Sequence, residues 1–250
     1  MRRHFITIVL LGLLVAACAT RKTVVEQEKA DAHYNMGVAH LTSGDAKQAI
    51  MEFSQAIGDA SENPIYHNAL GLALLMDRRS DLAIASLQRA VELDPKFSDA
   101  YNNLGSAYAQ RGAYKQAAQA FRQALANPTY LTPQQAYLNL GNVYVMEGRT
   151  ADAVVEFKRA LGISPDFAEA HNRLGYTYLM QGQLDLAIAE LTLAIKQAPD
   201  LATAYQSLGF AYLSAGEKDR AKKAFQKVEE LSSSSEMAAE AMRQIKLLSQ

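Results

Sequence analysis

Histidine, cysteine and closely spaced carboxylates are the side chains through which a chain of 250 residues would do chemistry, and here they form no recognisable constellation. The five histidines, His4, His33, His40, His67 and His171, stand singly. None belongs to an HExxH zinc motif, and the chain has neither a glycine-rich phosphate loop nor a G-x-S-x-G nucleophile elbow. His33, His67 and His171 fall at one place in a recurring pattern and His40 at another, both places where an aromatic ring is wanted, so they read as structural. No catalysis, metal, cofactor or small-molecule substrate is expected.

Cys18 is the one residue with covalent chemistry in prospect, and as the only cysteine it has no disulfide partner. Ahead of it, Arg2 and Arg3 precede a short apolar run, Phe5 to Val15, and then small residues. That is the order of an export signal, too short to span a bilayer. Val15-Ala16-Ala17-Cys18 resembles the lipobox of bacterial lipoproteins. The resemblance implies that residues 1–17 are removed, that the Cys18 sulfur takes a diacylglycerol, and that the new amino terminus is acylated. At ~0.8 kcal/mol per buried CH₂, several acyl chains make the anchor effectively permanent. Ala19, where aspartate would favour the inner membrane, implies the outer membrane of a Gram-negative cell, facing the periplasm. Residues 18–29 then read as a lipidated tether with little pattern, reaching at most ~40 Å.

The remaining composition narrows the partner. Lys+Arg 25 against Asp+Glu 26, with no basic run longer than two residues, gives no electrostatic case for nucleic acid. With 49% hydrophobic and 20% charged residues the chain buries a large core without being membrane-embedded throughout.

The elements that must carry any function announce themselves by a glycine. Met36-Gly37, Leu70-Gly71, Leu104-Gly105, Leu140-Gly141, Leu174-Gly175 and Leu208-Gly209 recur, the glycines stepping by 34, 34, 36, 34 and 34. With that glycine as position 8, the units are 30–63, 64–97, 98–133, 134–167, 168–201 and 202–235. Position 20 is Ala49, Ala83, Ala117, Ala153, Ala187 and Ala221; position 24 is Phe53, Leu87, Phe121, Phe157, Leu191 and Phe225. Small residues at fixed places let two helices approach, and large ones fill the space around them. Position 15 is glycine in five units and Arg78 in the second, which predicts a left-handed helix end and a strained turn at Arg78. All six prolines lie at unit boundaries. Residues 236–250, with Met237, Ala241, Ile245 and Leu248 at helical spacing, read as a capping helix.

This period and pattern resemble the tetratricopeptide repeat. The resemblance implies an all-α fold: a right-handed superhelical α-solenoid of six helix-turn-helix units plus the C-terminal capping helix. It also implies a non-catalytic scaffold that holds a protein partner along the groove made by the first helix of each unit. The groove positions supply Asn35, Asn68, Asn102, Asn103, Asn139 and Asn172, carboxamides that would bond an extended peptide backbone or, equally, neighbouring helices. They also supply an apolar N-terminal set, Tyr34, Val38, Ile65, Leu72 and Met76, and a second patch, Tyr176, Met180 and Phe210. Arg173 is the one cation among the positions where a carboxylate clamp needs several.

The longer step falls in NPTYLTPQQAYLNLG, Asn127 to Gly141. Thr132 as cap, Pro133 at the first helical position, Gln135 completing a capping box and Leu131 stapled on Ala136 would restart the helix and divide the array three units and three. The lipobox, six units and this lengthened link together resemble the type IV pilus biogenesis and stability lipoproteins, or pilotins. That resemblance implies a partner in the secretin subunit, carried to the outer membrane for ring assembly. The alternative is a periplasmic adaptor lipoprotein docking peptidoglycan hydrolases or synthases.

Overall fold

A computed structural model describes residues 24–232 and 236–249; Cys18 and the signal-like segment lie outside the described residues. Among the described residues there are thirteen helices and no strand. Helix α1 covers residues 24–42. It is followed by α2 (Ala46–Asp59), α3 (Pro64–Met76), α4 (Ser80–Leu93) and α5 (Ser98–Gln110). Then come α6 (Tyr114–Ala126), α7 (Pro133–Met146), α8 (Thr150–Ile163), α9 (Ala168–Met180), α10 (Leu184–Gln197), α11 (Ala202–Ser214), α12 (Lys218–Leu231) and α13 (Glu236–Leu248). The chain packs as two compact units, one running to Ala113 and the other starting at Tyr114. The division therefore falls at the turn between α5 and α6, not at the longer link that the sequence singled out.

Within a helix pair, the approach is set by the glycine at position 8 and the side chain at position 24. A Cβ on Gly37 would stand 2.5 Å from Phe53, on Gly71 2.4 Å from Leu87, and on Gly141 2.5 Å from Phe157. The residues they meet are fully buried, as is every position-20 alanine. Helix ends follow the other glycine: Gly44, Gly112, Gly148, Gly182 and Gly216 have φ between 73° and 84°. Arg78 takes the same conformation at φ 58°, the one non-glycine residue at positive φ among those described. A Cβ there crowds the following carbonyl, so this turn carries strain its sister turns lack.

Three local expectations fail. Residues 24–29 are helical rather than patternless: Lys29 pairs with Asp59 at 2.9 Å, and Gln27 Nε2 donates to the Tyr66 hydroxyl at 2.8 Å, so side-chain bonds to α2 and α3 extend α1 toward the N-terminus. Leu131 forms no staple. It is 91% exposed, and Tyr130 beside it is the buried side chain. Nor does a capping box form: the Thr132 side chain makes no cap bond, and Gln135 Nε2 donates forward to Asn139 Oδ1 at 3.3 Å. Pro133 does occupy the first turn of α7. At the far end, Ala238 and Ala241 of α13 are buried where it packs on α12.

Candidate functional site

The residues assigned to a groove separate into surface and structure. In the compact unit that runs to Ala113, α1 and α3 present Asn35, Val38, Ile65 and Met76 as exposed side chains, with Val38 39%, Ile65 47% and Met76 48% exposed. Tyr34 does not belong with them. Its ring stands 5.8 Å from that of Phe53 and 5.4 Å from that of Tyr66, and it packs against the buried clusters of α1–α3. Leu72 is half-buried.

The asparagines also turn inward. Asn103 Nδ2 donates to Asn68 Oδ1 at 2.9 Å, latching α5 to α3, and Asn102 is half-buried and partnered. In the second unit Asn139 accepts from Gln135, and Asn172, 5% exposed, donates to Thr203 Oγ1 at 3.1 Å. Asn68, Asn103 and Asn172 thus bond side chains of neighbouring helices, and Asn139 one of its own helix.

The second unit has a concavity of its own between α7 and α9, about 480 Å³, lined by residues that include Val145, Met146, Arg173, Tyr176 and Met180. Met146 is 63%, Met180 51% and Tyr176 43% exposed. The sequence reading found Tyr176 and Met180 but passed over Asn142, Val145 and Met146, although they occupy groove positions 9, 12 and 13 of the fourth unit. Phe210 is not part of this surface. It packs edge-on against Phe225, ring centroids 5.2 Å apart.

Three of the histidines bond neighbouring parts of the fold. His33 Nδ1 lies 2.7 Å from Glu52, and His171 Nδ1 2.7 Å from Glu190, the same two repeat positions in the first and fifth units. His67 Nε2 bonds the Ser61 carbonyl at 2.8 Å. Among the described residues no cluster of His, Cys, Asp and Glu is arranged to hold a metal ion, and no helix is long and apolar enough to cross a membrane.

Tetratricopeptide-repeat models match residues 34–96, 68–132, 115–166, 144–209 and 202–235. The chain belongs to the tetratricopeptide-repeat family. Curated relatives include small glutamine-rich tetratricopeptide repeat-containing protein 2 of Mycosarcoma maydis, 31% identical over 97 residues (39% of this chain, 26% of that protein). Another is the chloroplastic tetratricopeptide repeat domain-containing protein PYG7 of Arabidopsis thaliana, 34% identical over 79 residues (32% of this chain, 25% of that protein). The matched regions span about a quarter of those relatives' length.

Among solved structures, PilW, described as a widely conserved type IV pilus biogenesis factor, superposes with a TM-score of 0.78 at 21% identity, over 85% of this chain and 98% of that one. Pseudomonas aeruginosa PilF gives 0.75 at 18% identity, over 87% and 98%. YrrB, described as having an unusual peptide-binding site, gives 0.57 at 24% identity, over 76% and 97%. At these identities the likeness is one of fold: an all-α tetratricopeptide solenoid, an architecture that serves as a scaffold for protein–protein interaction.

Proposed function

We propose that this tetratricopeptide protein is a lipid-anchored scaffold of the outer membrane that helps secretin subunits assemble in type IV pilus biogenesis. The observation that carries the reading is the superposition on two pilus biogenesis proteins, each covered over 98% of its length. The lipobox-like segment ending in Cys18 supports the anchor and the periplasmic face of the outer membrane.

The partner contact is an apolar segment of the secretin subunit, seated on the exposed residues of the first helices: Asn35, Val38, Ile65 and Met76 in the first unit, and Tyr176 and Met180 in the second. These side chains lie outside the core, so their role is separable from folding. Each buried methylene of such a segment adds ~0.8 kcal/mol. The scaffold contributes binding and placement, with no bond made or broken.

The test is capture of purified secretin subunit by the full chain, wild type and Val38→Asp/Ile65→Asp. Tight capture by the wild type and at least tenfold weaker capture by an equally stable double variant is the expected result. Equal capture by both would remove the first-unit face from the contact. Capture of peptidoglycan hydrolases or synthases, with none of secretin, would make the protein a cell-wall adaptor.

A further inference from the structure

A different surface stands where α3 turns into α4. Arg78 is followed by Arg79, and Arg111, just past the end of α5, comes alongside; with Ser80, Asp81 and Leu82 they line a notch of about 410 Å³. The walls are tied together. Ser80 Oγ donates to Gln110 Oε1, Gln110 Nε2 reaches the Leu75 carbonyl at 3.5 Å, and Arg111 pairs with Asp81 at 3.1 Å.

The charge in this notch is handled differently from that at the other turns. Arg149, the counterpart of Arg79 in the fourth repeat, pairs with Asp152 at 2.6 Å and Glu147 at 3.3 Å and lies over the Tyr144 ring at 4.3 Å. Arg220 pairs with Glu217 at 2.7 Å and lies over Tyr212 at 4.4 Å. In the second repeat the place of that tyrosine is taken by Leu74, and among the described residues neither Arg78 nor Arg79 has a carboxylate partner. Asp81, the one acid lining the notch, is engaged by Arg111. The chain also holds Arg78 in a conformation its five sister turns give to glycine. Two arginines without a carboxylate partner, and a third paired with Asp81, thus line one small concavity.

We propose that this notch binds a phosphate group, carried by a lipid headgroup or free in solution. Guanidinium forks match phosphate oxygens with paired N–H donors, and Arg78 and Arg79 beside the Arg111–Asp81 pair leave the notch with net positive charge. Leu82, 48% exposed on the wall, gives a glycerol backbone an apolar rest. The site is independent of the partner-binding faces and stands or falls without them.

The test is a chemical-shift titration of the arginine Nε–H signals of the full chain in neutral detergent at constant ionic strength. The probes are inorganic phosphate and glycerophosphoglycerol, the deacylated diester headgroup. Saturable shifts at Arg78, Arg79 and Arg111 are expected, with at least tenfold weaker binding in Arg78→Gly/Arg79→Ala. Arg78→Gly restores the residue of the sister turns, so a thermal melt at or above wild type will show that the loss is not misfolding. Tighter binding of glycerophosphoglycerol assigns the site to lipid, and tighter binding of phosphate to the free anion. Absence of saturation with both probes, unchanged affinity in the double variant, or binding of hexaglutamate in place of either probe would overturn the proposal.

Discussion

Inside each helix pair a bare α-carbon meets a large buried side chain, and the consequences of adding one methyl group can be stated residue by residue. Phe157 is fully buried and a Cβ on Gly141 would stand 2.5 Å from its ring, so the ring must shift to admit it. Gly141→Ala is expected to destabilise by about 1–3 kcal/mol through overpacking. Gly162, inside α8 with nothing within 4 Å of its would-be Cβ, is the control. Gly162→Ala is expected to stabilise by about 0.4–1 kcal/mol. Denaturant melts of the two variants check the pair. Tyr66 offers a second residue-scale outcome. Burial, then its hydrogen bond to Asp31, pushes its hydroxyl from an ordinary 10.0 up to about 12. The folded chain thus holds this proton more tightly than the unfolded chain, so the contribution is intact below pH 10 and is lost as pH rises through about 12. In an ultraviolet titration of tyrosinate, the last step of the wild type is expected to be absent from Tyr66→Phe. Wild-type stability should fall more steeply than the variant's between those two pH values.

At the scale of elements, the link between α6 and α7 separates what pattern reveals from what it hides. Tyr130 is buried and Leu131 is 91% exposed. Tyr130→Ala is expected to cost about 3 kcal/mol and Leu131→Ser almost nothing, read from the same melts. The sequence alone offered Leu131 as the packing residue, because hydrophobicity does not say which of two neighbours in an irregular link faces the core. Helix pairs were legible because the spacing of Gly141, Ala153 and Phe157 repeats across the chain, and every copy restates the same geometry. The missing capping box at Thr132 and the length of α1 were not, since each turns on individual side-chain bonds among residues that occur once. The candidate face was half legible for a similar reason. Register assigns Val38, Met76 and Met180 to the outward side, but Asn68, Asn103 and Asn172 share that register and spend their side chains on adjacent helices. Tyr34, at a groove position, is drawn into the core by the rings of Phe53 and Tyr66.

For the whole molecule, each compact unit is a stack of helices with apolar side chains exposed outside its core. A scaffold of this kind works by holding a partner in place, so its variants should divide cleanly. Substitutions at position 8 or 24 lower stability and lose every activity together. Substitutions at Val38, Ile65 or Met180 leave the melt unchanged and lose the partner. The measurement that meets the central claim most directly is the heat-resistant secretin multimer in outer-membrane fractions from a strain lacking this gene, run unboiled on a gel and blotted. Deletion is expected to collapse the multimer to monomer, with full recovery by the wild-type chain and partial recovery by Cys18→Ala or Val38→Asp/Ile65→Asp. A multimer that forms normally without the gene would contradict the role in secretin assembly and leave the scaffold to another partner.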